Sequence, residues 1–456
     1  MILLCNPSKN FLTLLLILGL SAPQAFAATT SVYLSKPTGN EFTLEMAKQY
    51  ALAGGETTIQ IAREQIDEAK GALESAQGQR RPTVSASFGV GAQYNMGQSS
   101  NAYGTHNIGI SFPFLNNAIT TNINSSKNVV LSKEQVYLAQ LNQAMLAVTI
   151  DYYNTIKANK NIVAAQKLAE ASQAYFNSEA NKLKSGVGSK IDMLTAKLQF
   201  DNSVSGVTNA KMNANLACAN LTALINVEDT SLCSRLVDPA VPSRFNVDVN
   251  AALTKAMNSR PEISANQSLI AAARDQRAGI GGLKNHVTGS VGISNGTAGN
   301  ASGISGIDPM RTGSSNTVGA NISFTWGGSE QGNIRQANAR IDQANTMLTD
   351  TQKNIRKEVL VAKAILDQSF ANKQSAQMSF DDAASLLNTY QSQIKSGITI
   401  TDSNAYVQVL IKHQQAQQAL FEADCNVAEA IAQLQAAVGA PATMNVFEFL
   451  VSGILQ

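Results

Sequence analysis

The sequence predicts an α+β membrane protein with internal duplication: a trimeric 12-stranded β-barrel, to which each chain gives four strands, continued by a long α-helical coiled-coil tunnel. Three observations predict it. A helical stretch from about Ala118 to Lys184 contains neither Pro nor Gly, which at 1.5 Å per residue makes a rod on the order of 100 Å. Four short segments switch to a two-residue alternation of apolar with small or polar residues. The whole order of elements then recurs in the second half of the chain.

The first helix is expected from Glu41 to about Gln79, where Leu44, Ala47, Tyr50, Ala51, Ile59, Ile61, Ile66, Ala69 and Leu73 fall at helical spacing. Arg81-Pro82 ends it, because Pro disfavours helical geometry in the residue before it. Val84, Ala86, Phe88 and Val90 then alternate with Thr83, Ser85, Ser87 and Gly89, and Ile108, Ile110, Phe112 and Phe114 with Gly109, Ser111 and Pro113. The Gly/Ser/Asn-rich interval from Asn95 to Thr105 is expected to be the loop of this hairpin. Ser185-Gly186-Val187-Gly188 breaks the long helix, and a return helix runs from Lys190 to about Leu224.

In the second half, a helix from Val249 to about Ile280 precedes a strand in which Val287, Val291 and Ile293 oppose Thr288, Ser290, Gly292 and Ser294. A loop is expected from Asn295 to Asn316, then a strand carrying Val318, Ala320, Ile322, Phe324 and Trp326. A helix from Glu330 to Ile394 breaks at Lys395-Ser396-Gly397, and its return runs to about Val438. Lys184-Ser185-Gly186 thus reappears as Lys395-Ser396-Gly397, and Phe112 matches Phe324. The units are 28–248 and 249–440, far larger than the 20 to 50 residue periods of solenoids.

Residues 1–27 have the form of a secretory signal: Lys9, an apolar run from Phe11 to Leu20, and Ala25-Phe26-Ala27 as a cleavage site. That run is too short for a transmembrane helix, which needs roughly 20 residues, and Cys5 lies ahead of it, which disfavours a lipid anchor. Residues 441–456 form a C-terminal tail. A net charge of +2 with 14% charged residues excludes the basic face of a nucleic-acid binder.

Strands of about ten residues match the roughly 9 to 11 that cross an outer membrane. Four strands leave open edges, which lipid does not tolerate, so the barrel closes only by oligomerisation, and three copies supply twelve strands. Phe114 and Trp326 end their strands, where aromatic girdles sit. The long helices carry Ala164, Ala165, Ala169, Ala171, Ala174, Ala337, Ala339 and Ala344 where a globular core would carry Leu and Phe. Small residues let helices pack closely around a hydrated lumen; solvated coiled coils with a structural purpose would share this composition.

Cys218, Cys233 and Cys425 follow the signal. In an oxidising compartment Cys218 and Cys233 are candidates for a disulfide across a helix end; the alternative is that all three are small buried apolar residues. His106, His286 and His413 are isolated and lack metal-ligand spacing. Gly279 to Gly282 ends a helix before a strand, the reverse of a phosphate-binding turn. No catalytic, metal or cofactor constellation is expected.

With these residues in order, the chain resembles the TolC-like outer-membrane efflux proteins. The carriers are Ser259-Arg260-Pro261-Glu262, Arg81-Pro82, the run from Ile322 to Gly328, Gly186 with Asp192, and the return helix from Val407 to Leu434 ending at Gly439. The resemblance implies a homotrimer in outer-membrane lipid, with a periplasmic tunnel docked on a periplasmic adaptor and an inner-membrane pump or ABC exporter. It places Ser185, Gly186, Val187, Gly188, Ser396, Gly397, Ile398 and Thr399 at the adaptor. It also makes Asp192 a candidate gate residue, with Lys190 or Lys395 of a neighbouring coil as partner, the alternative being a solvated helix-start residue; Ile394, Ser403 and Tyr406 depart from the family's second-repeat pattern, with Asp402 one position from its first acidic site. A structural or adhesive surface protein that uses the barrel as an anchor is the competing expectation.

Overall fold

Alternating and heptad-spaced apolar residues set the elements of this chain. The computed structural model describes residues 41–55, 57–93, 101–242, 244–302, 312–325, 327–395 and 403–440. The signal, the tail, Trp326 and the turn 396–399 lie outside the described residues. In chain order, α1 (Leu44–Tyr50) and a π-helical turn (Ala51–Gly55) lead into α2 (Thr57–Gly78), β1 (Thr83–Gln93), β2 (Asn101–Leu115), α3 (Asn117–Lys184) and α4 (Lys190–Ile225). A 3-10 turn (Thr230–Arg235) precedes α5 (Val249–Ser259), α6 (Pro261–Ala278), the short α7 (Leu283–His286), β3 (Val287–Ser302), β4 (Thr312–Phe324), α8 (Glu330–Lys395) and α9 (Ser403–Val438).

The two halves repeat. α3 has 68 residues and α8 has 66, while α4 and α9 have 36 each. The residue after α4, Asn226, and Gly439 after α9 both take left-handed backbone, at φ 53° and 75°. Left-handed residues at this place cap helix C-termini.

Three expectations are corrected. The helix expected over Val249–Ile280 is two, α5 and α6, because Pro261 has no N–H to donate and starts α6 as its first residue. The π-helical turn interrupts the first helix at Gly54-Gly55, glycine being a poor helix former. The loops expected over Asn95–Thr105 and Asn295–Asn316 are strand in part: β2 begins at Asn101, β3 runs to Ser302 and β4 begins at Thr312, while residues 94–100 and 303–311 lie outside the described residues. Their Gly, Ser and Asn residues have weak strand preference, but neighbouring strands satisfy the backbone. Asn295 Nδ2 also donates to Asn316 Oδ1 across β3 and β4.

The four strands form one antiparallel sheet in the order β1-β2-β3-β4. The β2–β3 pairing joins the two halves, from Asn101 opposite Ser302 to Phe112 opposite Val291. Equivalent hydroxyl pairs mark the duplication: Thr83–Ser111 and Thr288–Ser323, each 2.7 Å. Phe112 and Phe324 each follow the serine of such a pair.

Among the helices α3 is central, packing against α2, α4, α6 and α9. On α2, buried Ile59, Ala62, Ala69 and Ala76 form a heptad seam. One core gathers Phe42, Tyr152, Leu221, Ile225 and Leu232 with Cys218 and Cys233, which are bonded to each other. The phenol of Tyr152 donates to Phe42 O at 2.8 Å and accepts from Val237 N at 2.9 Å, and burial pushes its pKa up to about 12. Cys425 is free and buried in the same core, and burial pushes its thiol up to about 12, so it stays protonated and unreactive at neutral pH. The second core joins Ile355, Val359 and Leu366 of α8 to Val427, Ile431 and Leu434 of α9.

Arg260 ties α9 to α6. Its guanidinium donates to the carbonyls of Ala436 and Ala437 at 3.1 Å and pairs with Glu262 at 2.8 Å and Glu358 at 2.9 Å. A cation on the last carbonyls of a helix also offsets the helix dipole. Arg260→Ala should lower stability by about 2 kcal/mol, the scale of hydrogen bonds to a charged group. Arg260→Lys should recover only part, since an ammonium lacks the planar fork. Thermal unfolding of the detergent-solubilised protein checks both.

Candidate functional site

The sheet presents two chemically opposite faces. On one, Val84, Ile110, Ile293 and Val318 lie in register across all four strands. These side chains and Phe88, Phe112, Phe114, Ile322 and Phe324 are exposed, Phe88 at 79% and Val318 at 74%. The other face carries Thr83, Ser85, Ser111, Thr288, Ser290, Ser294, Thr317, Asn321 and Ser323 with intervening glycines. Among the described residues the outer edges of β1 and β4 have no strand partner. A sheet with an exposed apolar face and two open edges is complete only within a larger closed array.

Where sheet meets helices, His286 joins the start of β3 to the end of β4 and the start of α8. Its Nδ1 lies 2.8 Å from Thr325 O, and its Nε2 lies 3.3 Å from Glu330. Gly281 takes φ +75°, and a Cβ there would stand 2.7 Å from the Glu330 carboxylate. His106 lies within β2 opposite Phe88 and Thr297, and His413 lies on α9 with its ring 5.3 Å from Phe380. The three histidines are thus spread over the fold. Nothing local in the sequence marks the His286–Glu330 pair, because residues 44 apart carry no periodic signal of contact.

The far end of the long hairpin is the turn between α3 and α4. Gly186 takes φ +79°, and the N–H groups of Val187 and Gly188 donate to Lys182 O at 3.1 and 2.9 Å. Gly186 therefore has the positive φ that glycine supplies at a helix C-terminus. Gly188 is required for space: a Cβ there would lie 2.6 Å from Leu183 N. Ser185, Lys184 and Lys190 are exposed, and Val187 and Ile191 expose 81% and 75% of their surface. This apolar pair at a turn flanked by lysines is the most exposed apolar surface of the hairpin end.

Asp192 is the third residue of α4, and Ser189 caps that helix by accepting from Ile191 N at 3.1 Å. Its carboxylate is exposed, in the first turn, where the helix dipole favours a negative charge. Lys190 stands two residues earlier and points to a different side of the helix. The structure thus brings Asp192 near the turn but does not pair it with Lys190 of its own chain. Lys395 ends α8, and Ser396, Gly397, Ile398 and Thr399 lie outside the described residues, as does Asp402.

Gly188→Val should distort the turn itself, because the clash is with backbone. Val187→Asp should leave the fold intact, because that side chain touches little. Circular dichroism and proteolysis at the turn distinguish the two: only the glycine variant should become a new cleavage site.

No protein-family model matches the chain, and no curated protein matches it in sequence. Among solved structures, the Campylobacter jejuni CmeC outer membrane channel superposes with a TM-score of 0.72 at 14% identity, covering 89% of this chain and 88% of that one. The outer-membrane channel OprN gives 0.70 at 17% identity, over 88% and 91%. The outer membrane protein VceC from Vibrio cholerae gives 0.68 at 14% identity, over 87% and 96%. The chain therefore has the TolC-like outer-membrane channel fold, a strand sheet joined to long helical hairpins, across nearly its whole described length.

Proposed function

We propose that this chain is the outer-membrane exit duct of a tripartite efflux pump or a type I secretion system, passing small molecules or proteins to the exterior. The observation that carries the reading is the sheet. Its exposed apolar face suits outer-membrane lipid, and its open edges require further strands. Three copies of four strands make twelve, an even number within the range of such barrels. The duct is then a homotrimer whose helices extend into the periplasm. α3 and α8, each on the order of 100 Å long, give a reach suited to a periplasmic adaptor and an inner-membrane pump or ABC exporter. No catalytic step, cofactor or nucleic acid belongs to this reading.

The α3–α4 turn is the surface we assign to the adaptor, with Val187 and Ile191 as its apolar contacts and the matching turn 396–399 as its partner in the second half. Three Asp192 carboxylates converging in a trimer would need cations nearby. Lys190 or Lys395 of a neighbouring copy would supply them and hold the end closed.

Detergent-solubilised protein should have the mass of three chains, and in planar bilayers it should give discrete conductance steps. A stable monomer would overturn the reading; a trimer that inserts and never conducts would favour the adhesive anchor instead. Asp192→Ala should open the pore more often or more widely, and traces identical to the parent would leave Asp192 as a helix-start residue only. Val187→Asp should abolish export in cells while the trimer persists.

A further inference from the structure

The imidazole of His286 sits between two acceptors, a backbone carbonyl and a carboxylate. Its Nδ1 lies 2.8 Å from Thr325 O, and its Nε2 lies 3.3 Å from a carboxylate oxygen of Glu330. A neutral imidazole carries one N–H and one lone pair, so it satisfies one oxygen and turns a lone pair on the other. Only the imidazolium has two donors. Both contacts therefore hold together only while the pair keeps one extra proton. The two side chains expose 16% and 22% of their surface, so little water reaches them to replace a lost partner. Among the described residues, the other charges around the pair are Lys284 on α7, Arg277 at the end of α6, and Arg335, more than a turn further along α8. The Arg277 guanidinium is engaged by Ile280 O at 2.8 Å and Asn338 Oδ1 at 3.1 Å. α3 sends the uncharged Asn117, which donates to Asn285 at 2.6 Å, and β4 sends the ring of Phe324, 5.7 Å from the imidazole. β3 contains no charged residue. The first half has no counterpart: by the equivalence of Thr83–Ser111 and Thr288–Ser323, the places of His286, Thr325 and Glu330 are held there by Arg81, Pro113 and Ala118.

We propose that His286 and Glu330 form a proton-dependent fastening between the sheet and α8. While the proton is bound, the start of β3, the end of β4 and the start of α8 are held as one unit. Histidine titrates near neutral pH. As pH rises through that range the proton leaves, the lone pair of Nε2 faces the carboxylate, and the start of α8 is released from the sheet. The sign follows from the donor count: the fastening is present on the acid side of the histidine range and lost on the alkaline side. It needs neither a trimer nor conduction, so failure of the duct reading leaves it testable.

The test is hydrogen exchange of the detergent-solubilised protein, read by mass spectrometry as protection of segment 323–333 relative to the intrinsic exchange rate at each pH. In this segment Thr325 N–H donates to His286 O and Asn333 N–H to Ser329 O. From about pH 5.5 to about pH 8.5, either side of the ordinary histidine value, protection should fall about tenfold, the scale of one hydrogen bond to a charged group. The matching segment 111–121 of the first half should not change. Glu330→Gln should keep its protection across the range, because the side-chain amide donates to the lone pair of a neutral ring while the Nδ1 proton still reaches Thr325. His286→Phe should be poorly protected at both ends of the range. Protection of 323–333 that does not change with pH in the parent protein overturns the inference. So does a fall in Glu330→Gln as large as the parent's. That comparison decides by itself should His286→Phe fail to fold.

Discussion

Backbone hydrogen bonding at the two outer strands is the constraint on which the rest of the structure depends. β2 and β3 are paired on both sides, so the halves of the duplicated chain are joined through the sheet. β1 and β4 are paired on one side only among the described residues. The face that would have to enter hydrocarbon is apolar from Val84 across to Val318. An unpaired strand edge costs several kcal/mol per group in lipid, where no water replaces the lost partner. The sheet therefore dictates association with further strands, and the helices must follow whatever symmetry closes it.

The helices meet that demand by being long and continuous. α3 holds no Pro or Gly over its 68 residues, and it is the common partner of α2, α4, α6 and α9, with smaller contacts to α1 and α7. One core holds it, around Tyr152 and the Cys218–Cys233 bond, and a second core joins α8 and α9 to α5 and α6. Closing a loop across a separation of 15 residues removes about 3 kcal/mol of unfolded-state entropy in the chain-entropy account. Arg260 performs a comparable service in the second half without a covalent bond, holding the end of α9 against the start of α6. The duplicated architecture is thus fastened by unlike chemistry in its two halves.

Charge is distributed to match. It is absent from the strands, dense along α8, and present at the α3–α4 turn as Lys184, Lys190 and Asp192. Ion pairs such as Lys157–Glu429, at 2.7 Å between α3 and α9, sit in the helical part. Burial raises the Glu429 carboxyl, and the Lys157 hydrogen bond acts against that rise. The contribution of Glu429 to stability is therefore fully present below the ordinary carboxylate range and declines as pH rises through its raised value.

The sequence by itself determined the element types, their order and the duplication. Period is a local property: two residues per repeat at Val84, Ala86 and Phe88, three to four at Ile59, Ala62, Ile66 and Ala69. The turn at Gly186 was equally legible, because a left-handed residue at a helix end favours glycine. Only the tertiary structure decided the rest. Strands continue through Asn101–Thr105 and Asn295–Ser302 because partner strands hold their backbones, which no intrinsic preference of Gly, Ser and Asn would do. The Cys218–Cys233 bond was a sequence expectation that the fold realises, whereas His286 meets Glu330 beside Gly281 only through the folding back of distant segments. Such pairings depend on which segments pack together, and a contact between residues far apart in the chain leaves no periodic trace in a single sequence.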